Sequence, residues 1–183
     1  MNQKKALTAG IVAGCLAIAG VGLSAQDKYT LKVPGGLEFA EFKGYEGWEA
    51  ISLSANDRKV AIIVGNPVMI QAYKAGIPAN GKPVPDGAKM AKMHFAPKPD
   101  DHFANTTVPG AQLDVDFMVK DSKRFADSGG WGYAVFDWDA AAASFKPGTK
   151  ASKPPQGNDA KCGFTCHTRV KDKDYVFTDY AKR

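Results

Sequence analysis

The sequence predicts a single α+β domain in which an antiparallel sheet dominates and a few short helices pack around it. Three observations carry this. Residues 89–95 (K-M-A-K-M-H-F) and 113–120 (L-D-V-D-F-M-V-K) alternate with period two, which puts Leu113, Val115, Phe117 and Val119 on one face of a strand. Residues 60–64 (V-A-I-I-V) and 131–137 (W-G-Y-A-V-F-D) are apolar enough to be strands covered on both faces. Residues 66–76 carry the punctuation of one short helix, with an Asn-Pro start and a Gly just past the end. The 183 residues are 44% hydrophobic and 23% charged, a globular composition that excludes a disordered chain, a collagen and a coiled coil.

Taken from the N-terminus, Asn2, Gln3, Lys4 and Lys5 make a short basic start. Residues 6–23 are almost wholly apolar and rich in Ala and Gly, and Ser24 and Ala25 are small residues before a polar stretch. This is the layout of a secretory signal peptide over residues 1–25, with residues 26–183 as the mature domain. A permanent membrane anchor is the alternative, since the run is about long enough to span a bilayer. The weak hydrophobicity of Ala and Gly, and the absence of a basic stop after them, weigh against it. A lipoprotein-like box ends at Cys15, but cleavage there would leave the apolar residues 16–23 on the mature chain.

The first strand is expected over residues 48–54 and the second over 60–64. The helix of residues 66–75 follows, then a Pro/Gly/Lys-rich loop over 76–87. The alternating strands at 89–95 and 113–120 are separated by a loop over 96–110. A short helix or turn is expected at 121–126, before Gly129-Gly130, and a strand at 131–137. Ala140 to Ala143 is a candidate start of a helix, and residues 146–157 read as the last loop.

Removing Lys4 and Lys5 lowers the formal net charge from +5 to +3, too small and too dispersed a surplus for a nucleic-acid interface. Removing Cys15 leaves two of the three cysteines, Cys162 and Cys166, and both lie in one motif. Lys161-Cys162-Gly163-Phe164-Thr165-Cys166-His167 has the form C-x-x-x-C-H, one residue longer than the C-x-x-C-H signature of covalent haem attachment. In that signature two thiols bond to the haem vinyl groups while the adjacent His coordinates iron. An extra residue can be taken up as a bulge in the turn, with Gly163 supplying backbone freedom. A Cys162–Cys166 disulfide is the bland alternative. Thioredoxin-type chemistry needs C-x-x-C, and structural zinc needs a fourth ligand that His94 or His102 would have to bring from far away in sequence. Export favours haem, because c-type haem is attached outside the bacterial cytoplasm.

Four blocks then occur in a fixed order. They are Asn66-Pro67 through Tyr73-Lys74-Ala75-Gly76; Asp86-Gly87-Ala88-Lys89-Met90-Ala91-Lys92; Val119-Lys120-Asp121-Ser122-Lys123-Arg124-Phe125-Ala126 with Trp131; and the cysteine motif followed by Asp174-Tyr175-Val176-Phe177-Thr178. On these blocks the chain resembles the cytochrome P-460 family of periplasmic c-type haem proteins over most of its mature length.

The resemblance implies a β-rich domain with a C-terminal haem-attachment segment, a covalently bound haem c and an open distal iron site. Cys162 and Cys166 would carry the thioether bonds and His167 would be the proximal iron ligand. Lys92 closes the D-G-A-x-x-x-K block, and the corresponding lysine is bonded to the haem ring in members that oxidise hydroxylamine. The implied activity is a periplasmic hydroxylamine oxidoreductase that releases nitrous oxide or nitrogen oxides and passes electrons to a soluble acceptor protein. The alternatives are a nitric-oxide-binding cytochrome of the c-prime-beta type or a simple electron carrier, in which Met69, Met90, Met93 or Met118 would be a sixth ligand. Neither nucleic acid nor, after leader cleavage, a membrane is an expected partner, and a homodimer is left open. Strand alternation puts Lys92 on one face with Met90 and His94, and Lys89 on the other. His94 is thereby a candidate acid–base group, while His102, in an Asp-rich loop, reads as solvated.

Overall fold

Each strand of this chain pairs antiparallel with the next in sequence, which makes the sheet a meander. The computed structural model describes residues 27–159 and 163–181. The expected leader, residues 1–25, and Cys162 lie outside the described residues. The strands are β1 (Glu49–Ala55), β2 (Val60–Gly65), β3 (Lys89–Pro99), β4 (Thr107–Lys120), β5 (Trp131–Asp139) and β6 (Ser144–Pro147). They make one sheet in sequence order, each neighbour antiparallel. Two short α-helices, α1 (Pro67–Lys74) and α2 (Phe164–His167), and several single turns of 3-10 helix accompany it. This is the α+β architecture the alternation predicts. No helix among the described residues is long and apolar enough to cross a membrane.

Asn66 fixes the register of β3. Its Oδ1 accepts from Met69 N at 3.0 Å, capping α1, and from Lys89 N at 2.9 Å, while its Nδ2 donates to Gly87 O at 2.9 Å. One side chain thus ties the start of the helix to the start of the next strand, and a one-residue slip would turn every β3 side chain over. In this register Lys92 lies opposite Ile63 on β2 and Asp116 on β4.

The sheet is covered on both faces, as the apolar runs of β2 and β5 require. On one face the N-terminal turns Phe39–Phe42 and Tyr45–Gly47 bring Phe39, Phe42 and Tyr45 onto Val115, Phe117, Val119 and Phe136. The Phe42 and Phe117 rings stack at 4.0 Å, and Phe39 meets Phe117 edge-on at 5.2 Å. The other face holds Ile51, Ile63, Met90, Met118, Trp131 and Tyr133, covered by Met69 and Ile70 of α1 and by Tyr175 and Val176 of the C-terminal segment.

Three expectations need correction. Residues 96–99 and 107–110 are not loop: they extend β3 and β4 into a two-stranded ribbon, with register shifts near Phe95 and Pro97 opposite Pro109. The prolines are tolerated because β2 pairs with β3 only as far as Phe95, so the ribbon has free edges. Residues 140–143 form a turn rather than starting a helix, with Ala143 at φ 46°, and lead into β6, which takes Lys146 and Pro147 out of the expected last loop. The turn expected at 121–126, by contrast, is found over residues 122–125, and it runs on into a 3-10 helix at Ala126–Ser128.

Candidate functional site

The second face is where the chemistry collects. A cleft runs between the sheet and the C-terminal segment. Its floor alternates up from four strands: Ile63 from β2, Met90 and Lys92 from β3, Asp116 and Met118 from β4, Tyr133 and Val135 from β5. Cys166, His167, Val176 and Phe177 close it from above. The empty space within its walls, open mouth included, is about 760 Å³. Three of the four expected site residues, Lys92, Cys166 and His167, therefore line one cavity although Lys92 comes from a strand far away in sequence. Cys162 is outside the described residues. Lys89 points to the opposite face, where its Nζ donates to Glu41 O at 2.5 Å and lies 5.7 Å from the Phe42 ring centre.

Cys166 and His167 share one turn. The N–H groups of both reach back to Gly163 O, at 3.0 and 3.2 Å. Gly163 itself has φ −91°, an extended conformation open to any residue, so the backbone freedom expected of it is not used in the described turn. His167 Nδ1 lies 2.6 Å from Tyr175 O. A carbonyl oxygen only accepts, so Nδ1 carries the proton and Nε2 is the nitrogen with ligating character. The imidazole is held between the rings of Tyr133 (5.1 Å) and Phe177 (5.0 Å).

The Tyr175 carbonyl is aimed by a left-handed pair. Asp174 has φ 47° and Tyr175 φ 63°, conformations that cost non-glycine residues about 1–3 kcal/mol each. The surroundings hold them there. Lys120 Nζ donates to both Asp174 carboxylate oxygens, at 2.8 and 3.0 Å, and to Gly129 O at 3.1 Å. Val84 N donates to Asp174 Oδ2 at 2.8 Å, and Trp131 Nε1 donates to Asp174 O at 2.9 Å. Gly129, at φ 70°, leaves room for the Tyr175 ring: a Cβ there would come within 2.2 Å of Tyr175 Cε2.

Beyond the cleft, His94 faces the same side as Lys92 and is buried. Its Nδ1 pairs with Asp114 and lies 3.7 Å from Asp116 Oδ2, while Lys59 Nζ reaches Asp114 at 2.9 Å. Burial alone would raise the Asp114 carboxyl, but hydrogen bonds from His94 and Lys59 outweigh it and hold the group below the usual carboxylate range. The three ligand atoms of His94, Asp114 and Asp116 lie within 4.8 Å of one another. His102 is exposed, as expected. Met90 and Met118 line the cleft, whereas Met69 packs from α1 onto the sheet and Met93 faces the aromatic layer.

The residues fit a haem. An oriented imidazole and a thiol stand side by side in a cleft walled by aliphatic and aromatic groups. Among the described residues the buried Tyr133 hydroxyl has no hydrogen-bond partner, and burial together with the nearby Tyr175 and Asp174 raises its pKa, so it remains a phenol. A donor left over in such a cavity is what a bound group with a polar edge would satisfy. Of the side chains that line the cleft, motif and resemblance point to Lys92, Cys166 and His167 but not to Asp116 and Tyr133. Alternation alone would have put Asp116 on the face of Met118, opposite Phe117.

A search of curated proteins returns no match. A family model, Cytochrome P460, matches residues 42–178, from the aromatic layer under the sheet to the last residue that lines the cleft. The match spans most of the chain and takes in both walls of the cavity, and the chain belongs to the cytochrome P460 family of haem proteins.

Proposed function

We propose that this chain binds haem covalently through Cys162 and Cys166, with His167 as the proximal iron ligand, and that it oxidises hydroxylamine outside the cytoplasm with Lys92 joined to the haem ring. The observation that carries the reading is the convergence of Lys92, Cys166 and His167 on one apolar cleft. Bound haem would supply a redox-active iron with one face open to substrate. The remaining roles belong to the chain. Tyr175 O holds the Nδ1 proton of His167 and so fixes the tautomer that ligates through Nε2. Ile63, Met118, Val135 and Val176 keep bulk water from the cavity. Lys92 is the amine that would bond through Nζ, and burial beside bound haem would favour its neutral form; Asp116 stands directly across the ladder from it. Electrons leave to a soluble acceptor protein.

The test is Lys92→Ala. Haem should stay attached, the optical spectrum should shift towards that of an ordinary five-coordinate c-type haem, and hydroxylamine turnover should fall while nitric oxide still binds. Unchanged turnover and an unchanged spectrum would refute the role of Lys92. A wild-type protein that binds nitric oxide but does not turn over hydroxylamine would make this a nitric-oxide-binding cytochrome.

A further inference from the structure

We infer that Lys120 is a positioning residue for His167, acting through Asp174 and the Tyr175 carbonyl to set the hydrogen bond at Nδ1 of the imidazole. This rests on the reading of His167 as the proximal haem ligand.

The chain of contacts is continuous. Lys120 closes β4 and its side chain is 7% exposed, against 15% for that of Asp174. The ammonium is bound on both oxygens of a carboxylate 54 positions later in sequence, and by Gly129 O. The ammonium also lies against the face of Trp131, 5.2 Å away, and Trp131 Nε1 donates to the carbonyl of that same Asp174. Lys120 and Trp131 thus grip Asp174 by side chain and by backbone. Asp174 and Tyr175 are successive left-handed residues, and a left-handed pair without glycine relaxes unless its surroundings over-determine it. Relaxation of ψ at Tyr175 would swing its carbonyl off His167 Nδ1, now 2.6 Å away.

A buried ion pair is by itself weak evidence for stability, because desolvation of both charges offsets most of the attraction. Its consequence here is directional. It fixes one carbonyl oxygen, and that oxygen faces the nitrogen whose proton tunes ligand basicity. Two sequence blocks that carry the family resemblance without an assigned role, the one around Lys120 with Trp131 and the one at Asp174-Tyr175, meet at this contact.

The experiment is resonance Raman spectroscopy of the ferrous holoprotein, reading the iron–histidine stretching band, on wild type, His167→Gly with added imidazole, Lys120→Arg, Lys120→Met and the double variant Lys120→Met/Asp174→Asn. The double variant removes both buried charges while Asn retains tolerance of the left-handed conformation, and it stands in if Lys120→Met does not accumulate. Wild type should show a band that His167→Gly abolishes and imidazole restores at a different frequency. Lys120→Met and the double variant should shift or split that band to lower frequency and raise the midpoint potential, as the Nδ1–H···O bond weakens. Lys120→Arg should restore the wild-type frequency. A band that depends on His167 but is unmoved in folded Lys120 variants overturns the inference alone. A wild-type band indifferent to His167→Gly overturns both the inference and the reading of His167 beneath it.

Discussion

Replacing Gln156 with Leu should destabilise the protein by about 4 kcal/mol. β6 pairs with β5 only from Phe136 onward, so the peptide groups of Tyr133 and Val135 would face an open strand edge. The last loop closes that edge with side chains. Gln156 Oε1 accepts from Tyr133 N at 2.6 Å and its Nε2 donates to Tyr133 O at 2.7 Å, while Thr149 Oγ1 accepts from Val135 N at 2.8 Å. Both side chains are buried. Leu is similar in size but strands the N–H and the C=O of Tyr133 together, each at about 1–3 kcal/mol. For a domain of this length about 4 kcal/mol corresponds to a fall in Tm of about 8–16 °C. Thr149→Val strands one donor and should cost about half as much. Urea unfolding of the holoprotein, with the slope m unchanged between variants, measures both. A loss below about 1 kcal/mol for Gln156→Leu would refute the view that this loop acts as a substitute strand.

Other outcomes follow from the two-faced sheet and its polar cluster. Phe39→Ala empties the aromatic layer and should cost about 3–5 kcal/mol in urea unfolding while leaving the haem spectrum in place, because that layer lies on the face away from the cleft. Lys89→Ala should lower stability by about 1 kcal/mol through its bond to Glu41 O and leave hydroxylamine turnover unchanged. Asp114 has a carboxyl held below its unfolded value, so its contribution to stability is present above about pH 4 and is lost as pH falls through the folded-state value. Asp114→Asn should therefore be less stable than wild type at pH 7, and the gap should close on acidification below about pH 4, as followed by unfolding at a series of pH values.

How legible each part was depended on how local its signal is. Alternation in residues 89–95 and 113–120 gave the strands and assigned Lys89 and Lys92 to opposite faces, as found. Asn66, Pro67 and Gly76 marked α1 because caps act on their own helix. The ribbon beyond Phe95 was hidden by Pro97, Pro99 and Pro109, which a central strand would not accept but a free edge does. The turns holding Phe39 and Phe42 carry no helical or strand period, and only the aromatic layer they complete explains them. The meeting of Lys92, Cys166 and His167 in one cleft was legible through motif and resemblance. Asp116 and Tyr133 were not, since their place in the cleft depends on pairing between strands. The Lys120–Asp174 contact joins residues 54 positions apart, a distance at which sequence gives two separate residues and only the fold gives a pair.

The most direct test is a tryptic peptide map of haem-loaded protein. Trypsin cannot cut after a lysine whose amine is bonded to the haem ring, whereas Lys89, on the other face, stays cleavable. The expected result is one haem-bearing species in which the peptide containing Lys92, uncut at that residue, travels with the peptide containing Cys162, Cys166 and His167. Haem on the cysteine peptide alone, with ordinary cleavage after an unmodified Lys92, would contradict it.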